Sequence, residues 1–167
     1  MTCILTHTGQ RMDYLNPTVS MIMIEDIARG LSRESRFNGQ SKVPYFVAQH
    51  CVIVSELVPE QFAFEALMHD ATEAYMKDIP TPLKQLLPRY MELEDQLDQV
   101  IRLAFEIPFI QSPEVKNADR RALTIEMASF TDYEIPGVSE VKCFIRAWSP
   151  QECYDVFLER FHQLRGR

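Results

Sequence analysis

The sequence predicts an all-α protein, a helical bundle preceded by a small N-terminal β-hairpin. Apolar residues recur at the three- and four-residue spacing of amphipathic helices through most of the chain. Prolines and polar turn sequences separate these periodic stretches, as expected for connections between helices. The chain has 167 residues, of which 46% are hydrophobic, and these values suit a folded domain. No internal repeat is visible, so residues 1–167 are interpreted as a single domain.

Local signals then predict each element in order. Residues 2–15 are expected to form the hairpin, because a β-rich run precedes the turn signal Thr8-Gly9. Apolar periodicity and proline boundaries predict helices over residues 24–33 (or from 19), 45–57, 60–77, 83–87, 89–105, 114–128 and 149–164. The last helix begins with Ser149 as N-cap and Glu152 at the third helical position, the pattern of a capping box. The acids of helix 89–105 are expected to form a solvated face: Glu92, Glu94, Asp95 and Asp98.

The composition excludes some classes of function. A net charge of −7 disfavours indiscriminate binding to a nucleic-acid polymer. No apolar run approaches the roughly 20 residues that span a bilayer, and no basic, apolar leader opens the chain. The cysteines show no CxxC spacing, so we expect buried, reduced thiols and a cytoplasmic protein. The four are Cys3, Cys51, Cys143 and Cys153.

The dipeptide His69-Asp70 lies in an otherwise apolar helical stretch. Ionisable groups on a core-facing stretch cost free energy unless they are paired or bind a cation. His50 and Asp119 lie in two other predicted helices. Two imidazoles and two carboxylates suit Mn, Fe, Co, Ni or Zn. The four residues therefore predict a divalent metal site, and such a metal lowers the pKa of a bound water towards neutrality.

Four segments carry a resemblance to a known family: residues 47–50 (VAQH), 66–74 (ALMHDATEA), 78–84 (DIPTPLK) and 117–119 (NAD). They resemble the HD-domain phosphohydrolases, in particular the YfbR/YfdR-like branch of 5'-deoxynucleotidases and related prophage hydrolases. The chain is also similar to the phage DatZ-type dATP triphosphohydrolases. The resemblance covers residues 24–125 approximately, and the two middle segments are its most specific part. It implies an HD-domain helical bundle.

The resemblance also implies a metal-ligand set and two acids beside it. The residues that match the family's ligands are His50, His69, Asp70 and Asp119, and the implied cofactor is a divalent ion such as Co, Mn, Zn or Mg. Glu73 lies on the same helix face as His69. It matches an acid that orients or deprotonates water, or that holds a second metal. Asp78 matches an acid near the sugar and the reacting phosphate.

Three further residues match the family's substrate contacts. Arg36 matches an arginine that contacts phosphate, and Phe37 matches an aromatic residue that lies against the sugar or base. The family's deoxynucleotidases usually have Trp at the second position, so the smaller Phe leaves strict selection of deoxyribose open. Lys84 matches a lysine that faces phosphate oxygens and stabilises their negative charge.

The expected function is metal-assisted hydrolysis of the 5' phosphate ester of a deoxynucleotide. Two substrate classes stay open: a deoxynucleoside monophosphate, which gives phosphate, and a dNTP such as dATP, which gives triphosphate. The alternative is a non-catalytic regulatory module that binds nucleotides. The chain lacks a P-loop and a kinase glycine loop, which disfavours phosphoryl transfer from ATP. The resemblance also implies a homo-oligomer, either a dimer or a hexamer. Of the apolar residues in the last helix, Tyr154, Phe157 and Phe161, two are expected in the core.

Overall fold

The computed structural model describes residues 2–133 and 145–166 and confirms a mostly helical chain with an N-terminal hairpin. Strands β1 (Cys3–Leu5) and β2 (Arg11–Asp13) pair antiparallel, with Ile4 opposite Met12. The helices are α1 (Ile24–Leu31), α2 (Val47–Glu56), α3 (Ala63–Met68), α4 (Glu73–Met76), α5 (Thr81–Lys84), α6 (Pro88–Phe105), α7 (Pro113–Phe130) and α8 (Pro150–Arg165). Short 3₁₀ turns precede α1 and α3. Within the described ranges, every helix falls short of the length or apolarity needed to cross a bilayer.

Helix α2 forms the centre of the fold, because most of its faces are covered. Helices α3, α7 and α8 pack against it, and α1 lies between α4 and α8. The core includes Val47 and Cys51 of α2, Leu67 of α3, and Phe157 of α8, all fully buried. Burying one such large apolar side chain contributes about 1.5–3 kcal/mol. The position of His50 within this helix therefore places an imidazole inside the core.

The hairpin is tied to the helical body by α1. The Asp26 carboxylate accepts hydrogen bonds from the backbone N–H and the hydroxyl of Thr8, at 2.8 and 2.7 Å. Met12 of β2 is fully buried in the main core. The turn contains Gly9 at a φ of +85°, a backbone conformation that favours glycine. The prediction of a hairpin with its turn at Thr8-Gly9 is confirmed.

The predicted helix over residues 60–77 is wrong as a single element. The chain forms α3, leaves regular helix at residues 69–72, and resumes as α4. In the gap, Ala71 N–H donates to Met68 and Glu73 N–H donates to Asp70, a three-residue pattern tighter than an α-helix. The dipeptide His69-Asp70 therefore sits in a turn between two short helices, and the metal-site prediction falls on that interruption.

A close contact between α1 and α4 fixes this second short helix. A Cβ atom added at Gly30 would lie 2.5 Å from the carbonyl oxygen of Ala74 and 2.7 Å from its Cα. Only glycine allows the two backbones to approach so closely. Because Glu73 precedes Ala74, this contact also fixes where the Glu73 side chain begins.

The C-terminal helix is anchored at its start, as predicted. Ser149 accepts a hydrogen bond from Glu152 N–H, and the Glu152 carboxylate accepts one from Ser149 N–H, which completes the capping box. Gln49 of α2 holds the segment before this cap, since its side chain accepts from Trp148 N–H at 2.9 Å and donates to the Arg146 carbonyl at 2.7 Å. Phe157 and Phe161 are buried and Tyr154 is half-buried, as expected.

The cysteine prediction is confirmed in part. Cys51 and Cys153 are buried and Cys3 is half-buried, and none of these three forms a disulfide. Cys143 lies outside the residues that the structure describes.

Candidate metal centre

Three parts of the fold bring the four predicted ligands together. His50 comes from α2, His69 and Asp70 from the turn between α3 and α4, and Asp119 from α7. The Nε2 atom of His50 lies 3.3 Å from Nε2 of His69, 3.4 Å from an Asp70 oxygen and 3.2 Å from an Asp119 oxygen. His69 Nε2 lies 3.3 Å from the same Asp70 oxygen and 4.0 Å from that of Asp119.

This spacing fits a single divalent cation. Metal–ligand bonds of about 2.0–2.2 Å place neighbouring donor atoms roughly 3.0–3.5 Å apart in octahedral or tetrahedral geometry. The measured separations of 3.2–4.0 Å are close to that range. His50, His69 and Asp119 form one group of candidate metal-binding side chains, and Asp70 belongs to a second group that shares His69. The donor set of imidazoles and carboxylates suits a first-row transition metal.

Cys51 also lies beside the cluster, grouped with His69 and Asp70. Burial raises the pKa of its thiol well above the usual value, and Asp70 raises it further. Since the thiolate is the form that binds metals, the protonated thiol is a poor ligand. The two histidines and two aspartates are therefore the better donor set.

Hydrogen bonds at the far side of each ring direct both imidazoles. The Nδ1 atom of His69 lies 2.8 Å from the Ala66 carbonyl oxygen, which can only accept, so Nδ1 carries the proton. The Nδ1 atom of His50 lies 2.6 Å from a carboxylate oxygen of Glu126. Both Nε2 atoms consequently face the donor cluster, as metal-ligating histidines require.

Sequence reasoning missed Glu126. It lies seven residues after Asp119 on α7, so the two acids share one helix face. Asp119 faces Nε2 of His50 while Glu126 faces Nδ1, and α7 therefore holds both nitrogens of one ring. The Glu126 side chain is fully buried and also accepts from the Tyr45 hydroxyl at 2.8 Å. The seven-residue spacing from a predicted ligand was the available signal.

The buried charges shift one another's pKa values. Burial and Arg36 lower the pKa of His50, but Glu126 and Asp119 outweigh them and raise it to about 8. Burial raises the pKa of Asp119, yet the two histidines bring it down to about 2. Burial likewise raises the pKa of Glu126, while His50 and Arg36 bring it below its usual value. The carboxylates of Glu126 and Asp119 therefore stabilise the charged form of His50, and His50 in turn stabilises the charged form of both acids.

A cavity of about 410 Å³ opens beside the donor cluster, and it collects the other predicted residues. The site residues that line it are Arg36, Phe37, Asp70, Glu73, Asp78, Lys84 and Asp119. The opening therefore joins two of the candidate metal ligands, Asp70 and Asp119, to both predicted phosphate-binding cations. Its size suits a small organic ligand.

Two acids in this cavity hold protons more tightly than usual. Glu73 is only 8% exposed, and its Oε2 atom has no hydrogen-bond partner in the described part of the chain. Burial, then Asp70 and Asp78, raise the pKa of Glu73 well above its usual value. Burial also raises the pKa of Asp78. Glu73 is thus a buried carboxyl group with an unused oxygen at the edge of the cluster.

The predicted arginine-aromatic pair adopts a constrained geometry. Arg36 lies 3.2 Å from Glu126 and 3.7 Å from Asp70. Phe37 and Asn38 both have positive φ, at 54° and 51°, which is costly for a bulky residue such as Phe. The Phe37 ring stacks on Tyr45 with 6.3 Å between ring centres. This turn keeps the guanidinium and the ring at the same cavity.

Lys84 is paired with an acid that was expected to be solvated. Its Nζ atom lies 2.7 Å from Glu94, whose side chain is 16% exposed, so the solvated-face prediction is wrong for Glu94. The short connection between α5 and α6 lets the two helices contact each other and brings the two charges together. A neighbouring cavity of about 310 Å³ shares Asp70, Glu73 and Lys84 with the first, and its wall is acidic.

Comparisons with known proteins show that the chain is similar over most of its length to two bacterial proteins. The chain is 43% identical to "Uncharacterized protein YfdR" of Escherichia coli K12, over 98% of this chain and 96% of that protein. It is 37% identical to an uncharacterized protein of Rhodobacter capsulatus, over 94% and 92% of the two chains. No family model matches the chain. At this identity and coverage, the chain belongs to the same family as YfdR.

Proposed function

We propose that this protein is an HD-domain phosphohydrolase that uses a divalent metal to cleave the 5' phosphate ester of deoxynucleotides. The observation that carries the proposal is the convergence of the His50, His69, Asp70 and Asp119 donor atoms at a cavity lined by Arg36 and Lys84. Cations and a metal site in one cavity suit a phosphate ester. The resemblance to HD-domain phosphohydrolases supports the same reaction.

The metal would be held by the two histidines and two aspartates. When bound, a divalent ion polarises a phosphoryl oxygen and lowers the pKa of a coordinated water. The two imidazoles favour Mn, Co or Zn over Mg, because Mg prefers oxygen ligands.

The remaining residues supply positioning and proton transfer. Glu73, with its raised pKa and its unpartnered Oε2, can accept or return a proton beside the reacting phosphate. Arg36 and Lys84 neutralise charge on the phosphoryl oxygens. Lys84 must exchange Glu94 for the phosphate to do so. Phe37 offers its ring to the sugar or base.

The charges favour a monophosphate over a triphosphate. Both cations of the cavity are already paired with carboxylates. The adjoining cavity shares Asp70, Glu73 and Lys84 with the first and offers room for further phosphates, and it is also lined by Glu94, Asp95 and Asp98. Arg102 also lines it, but its side chain is bonded to Asp98 at 2.6 Å. Extra phosphate charges would therefore meet acids with little free positive charge to balance them.

A panel of dNMPs, dNTPs and the matching ribonucleotides, each with Mn or Co, tests the proposal. We expect inorganic phosphate as the product from dNMPs, no activity with a chelator, and loss of at least about 100-fold in kcat for Asp70→Asn. The control is Asp95→Asn, an acid of the neighbouring cavity outside the donor cluster. Its rate should match the wild type.

The product pattern separates the alternatives. Release of triphosphate from dNTPs would show that the substrate is a nucleoside triphosphate and would contradict the proposed monophosphate substrate. Nucleotide binding without turnover by metal-loaded protein would instead support the regulatory module. In ¹⁸O-labelled water, attack at phosphorus places the label in phosphate, and label in the nucleoside would contradict the proposed bond cleavage.

A further inference from the structure

The carboxylate of Glu126 is the meeting point of three side chains behind the metal centre. One oxygen lies 2.6 Å from His50 Nδ1 and 2.8 Å from the Tyr45 hydroxyl. The other lies 3.2 Å from the Arg36 guanidinium. Glu126, His50 and Tyr45 have no exposed surface. These contacts are therefore made in a low-dielectric interior, where each is strengthened.

We propose that Glu126 is a positioning residue that couples the metal centre to the phosphate-binding cation. It orients His50 through Nδ1 and orients Arg36 through the guanidinium, so both halves of the site share one anchor. The phosphate half of this inference rests on the proposed function. The metal half rests on the geometry of the donor cluster alone.

The contact with His50 controls which ring nitrogen is available. With the proton held at Nδ1 by Glu126, the lone pair of Nε2 points at His69, Asp70 and Asp119. A carboxylate at this position also makes the ring a stronger donor. Removing such partners commonly costs 10- to 100-fold in metal affinity.

The contact between Glu126 and Arg36 keeps Asp70 available as a metal ligand. The guanidinium lies between Glu126, at 3.2 Å, and Asp70, at 3.7 Å. Its side chain is 12% exposed, so its charge needs carboxylate partners. Without the charge of Glu126, Asp70 becomes the remaining close partner and is drawn from the metal towards Arg36. Loss of either contact of Glu126, with His50 or with Arg36, is therefore expected to lower the affinity for the metal.

The backbone reinforces this arrangement. Arg36 N–H donates to the Tyr45 carbonyl at 2.9 Å, which closes the turn that carries Phe37. The Tyr45 hydroxyl then bonds to Glu126. The Glu126 carboxylate thus contacts the side chains of Arg36 and Tyr45, the two residues whose backbones close this turn.

The test compares Glu126→Gln with a matched control, Glu65→Gln. Gln keeps an oxygen that can accept from His50, but it places an uncharged NH₂ group against Arg36. Glu65 is a buried acid, 5% exposed, that accepts from Ser112 and makes no contact with the donor atoms. Competition with a chromogenic chelator measures the affinity for Co²⁺ alone, and the visible spectrum of bound Co²⁺ reports its ligand geometry.

We expect Glu126→Gln to lose about 10- to 100-fold in Co²⁺ affinity and to change the Co²⁺ spectrum. At saturating Co²⁺, its affinity for inorganic phosphate should fall at least about fivefold. Glu65→Gln should stay within about threefold of the wild type in both affinities, whatever its effect on the unfolding midpoint.

Co²⁺ affinity, spectrum and phosphate affinity all unchanged in a folded Glu126→Gln protein would overturn the proposal. Should this variant fail to fold by circular dichroism, Glu126→Asp takes its place, because it keeps the charge and withdraws the carboxylate by one methylene. Unchanged Co²⁺ affinity there overturns the proposal equally. Wild-type protein that binds Co²⁺ and phosphate but hydrolyses no nucleotide refutes the proposed function and leaves this inference standing.

Discussion

At the residue scale, the two cations of the cavity are both already bound to carboxylates. Arg36 is held by Glu126 and Asp70, and Lys84 is held by Glu94. Anchoring keeps long side chains in place, but a phosphate must compete with the acid. The strength of the proposed phosphate binding would therefore depend on the acids that pair with the cations as well as on the cations themselves.

Glu94→Gln is expected to raise the affinity for inorganic phosphate about three- to tenfold, because Lys84 no longer has a charged partner to leave. The control is Glu92→Gln, which removes another ion-paired acid of α6. Its partner Arg89 is exposed and lies outside the cavity. Calorimetric titration of phosphate into Co²⁺-loaded protein measures the phosphate affinity of both variants. Weaker binding in Glu94→Gln would mean that Glu94 serves to orient Lys84.

The site residues differ in how far the sequence predicted them. The dipeptide His69-Asp70 was accessible because two ionisable groups stand out in an apolar stretch. Glu126 was harder to find, since its hydrogen-bond partners His50 and Tyr45 lie 76 and 81 residues away and its one signal was the seven-residue spacing from Asp119. A buried acid is recognisable in sequence only when a neighbour along the helix shares its role.

At the element scale, the interruption between α3 and α4 carries two of the four candidate metal ligands, His69 and Asp70. The residues around it include Ala66, Ala71 and Ala74, which favour helix, so the sequence predicted one continuous element. In the structure, the His69 side chain donates to the Ala66 carbonyl. In a regular helix that carbonyl receives the N–H group four residues later. Helix propensities describe single residues, so they do not predict that a histidine side chain competes with a backbone N–H for the same carbonyl.

Gly30→Ala is expected to destabilise the protein by about 1–3 kcal/mol, because the new methyl group would overlap the backbone of α4. Urea unfolding of the metal-free protein measures the loss. The nearest atoms are the oxygen and Cα of Ala74, so adding Ala74→Gly should restore little stability. Full rescue by the double variant would mean that the side chain of Ala74, rather than its backbone, makes the contact.

At the scale of the whole molecule, apolar periodicity predicted the architecture well. The predicted ranges 45–57, 89–105 and 114–128 correspond to α2, α6 and α7 within two residues at each end. These helices bury defined apolar faces, and prolines mark several of their limits. What periodicity could not predict is which helices meet. The candidate metal centre depends on that arrangement, because its four predicted ligands come from three separate parts of the fold.

A cation at the candidate metal centre would join α2, the turn after α3, and α7, so it would bind the folded chain but not the unfolded one. Mn²⁺ at about 100 times its Kd should therefore stabilise the fold by roughly 2.7 kcal/mol. For a chain of this size, that corresponds to a rise in Tm of roughly 5–10 °C. Calorimetry with and without chelator checks this, with His69→Ala as the control that should show no rise. An equal rise in His69→Ala would place the bound ion elsewhere.

The side chain of Gln49 links α2, the helix that carries His50, to the sole tryptophan of the sequence. Gln49 precedes His50 on α2. Its amide oxygen accepts a hydrogen bond from Trp148 N–H, and its amide nitrogen donates one to the Arg146 carbonyl. Selective excitation of tryptophan therefore reports on one indole, that of Trp148, whose backbone is hydrogen-bonded to the central helix α2. The protein carries its own fluorescent reporter, and loosening of the segment before α8 from α2 can be followed without attaching a dye.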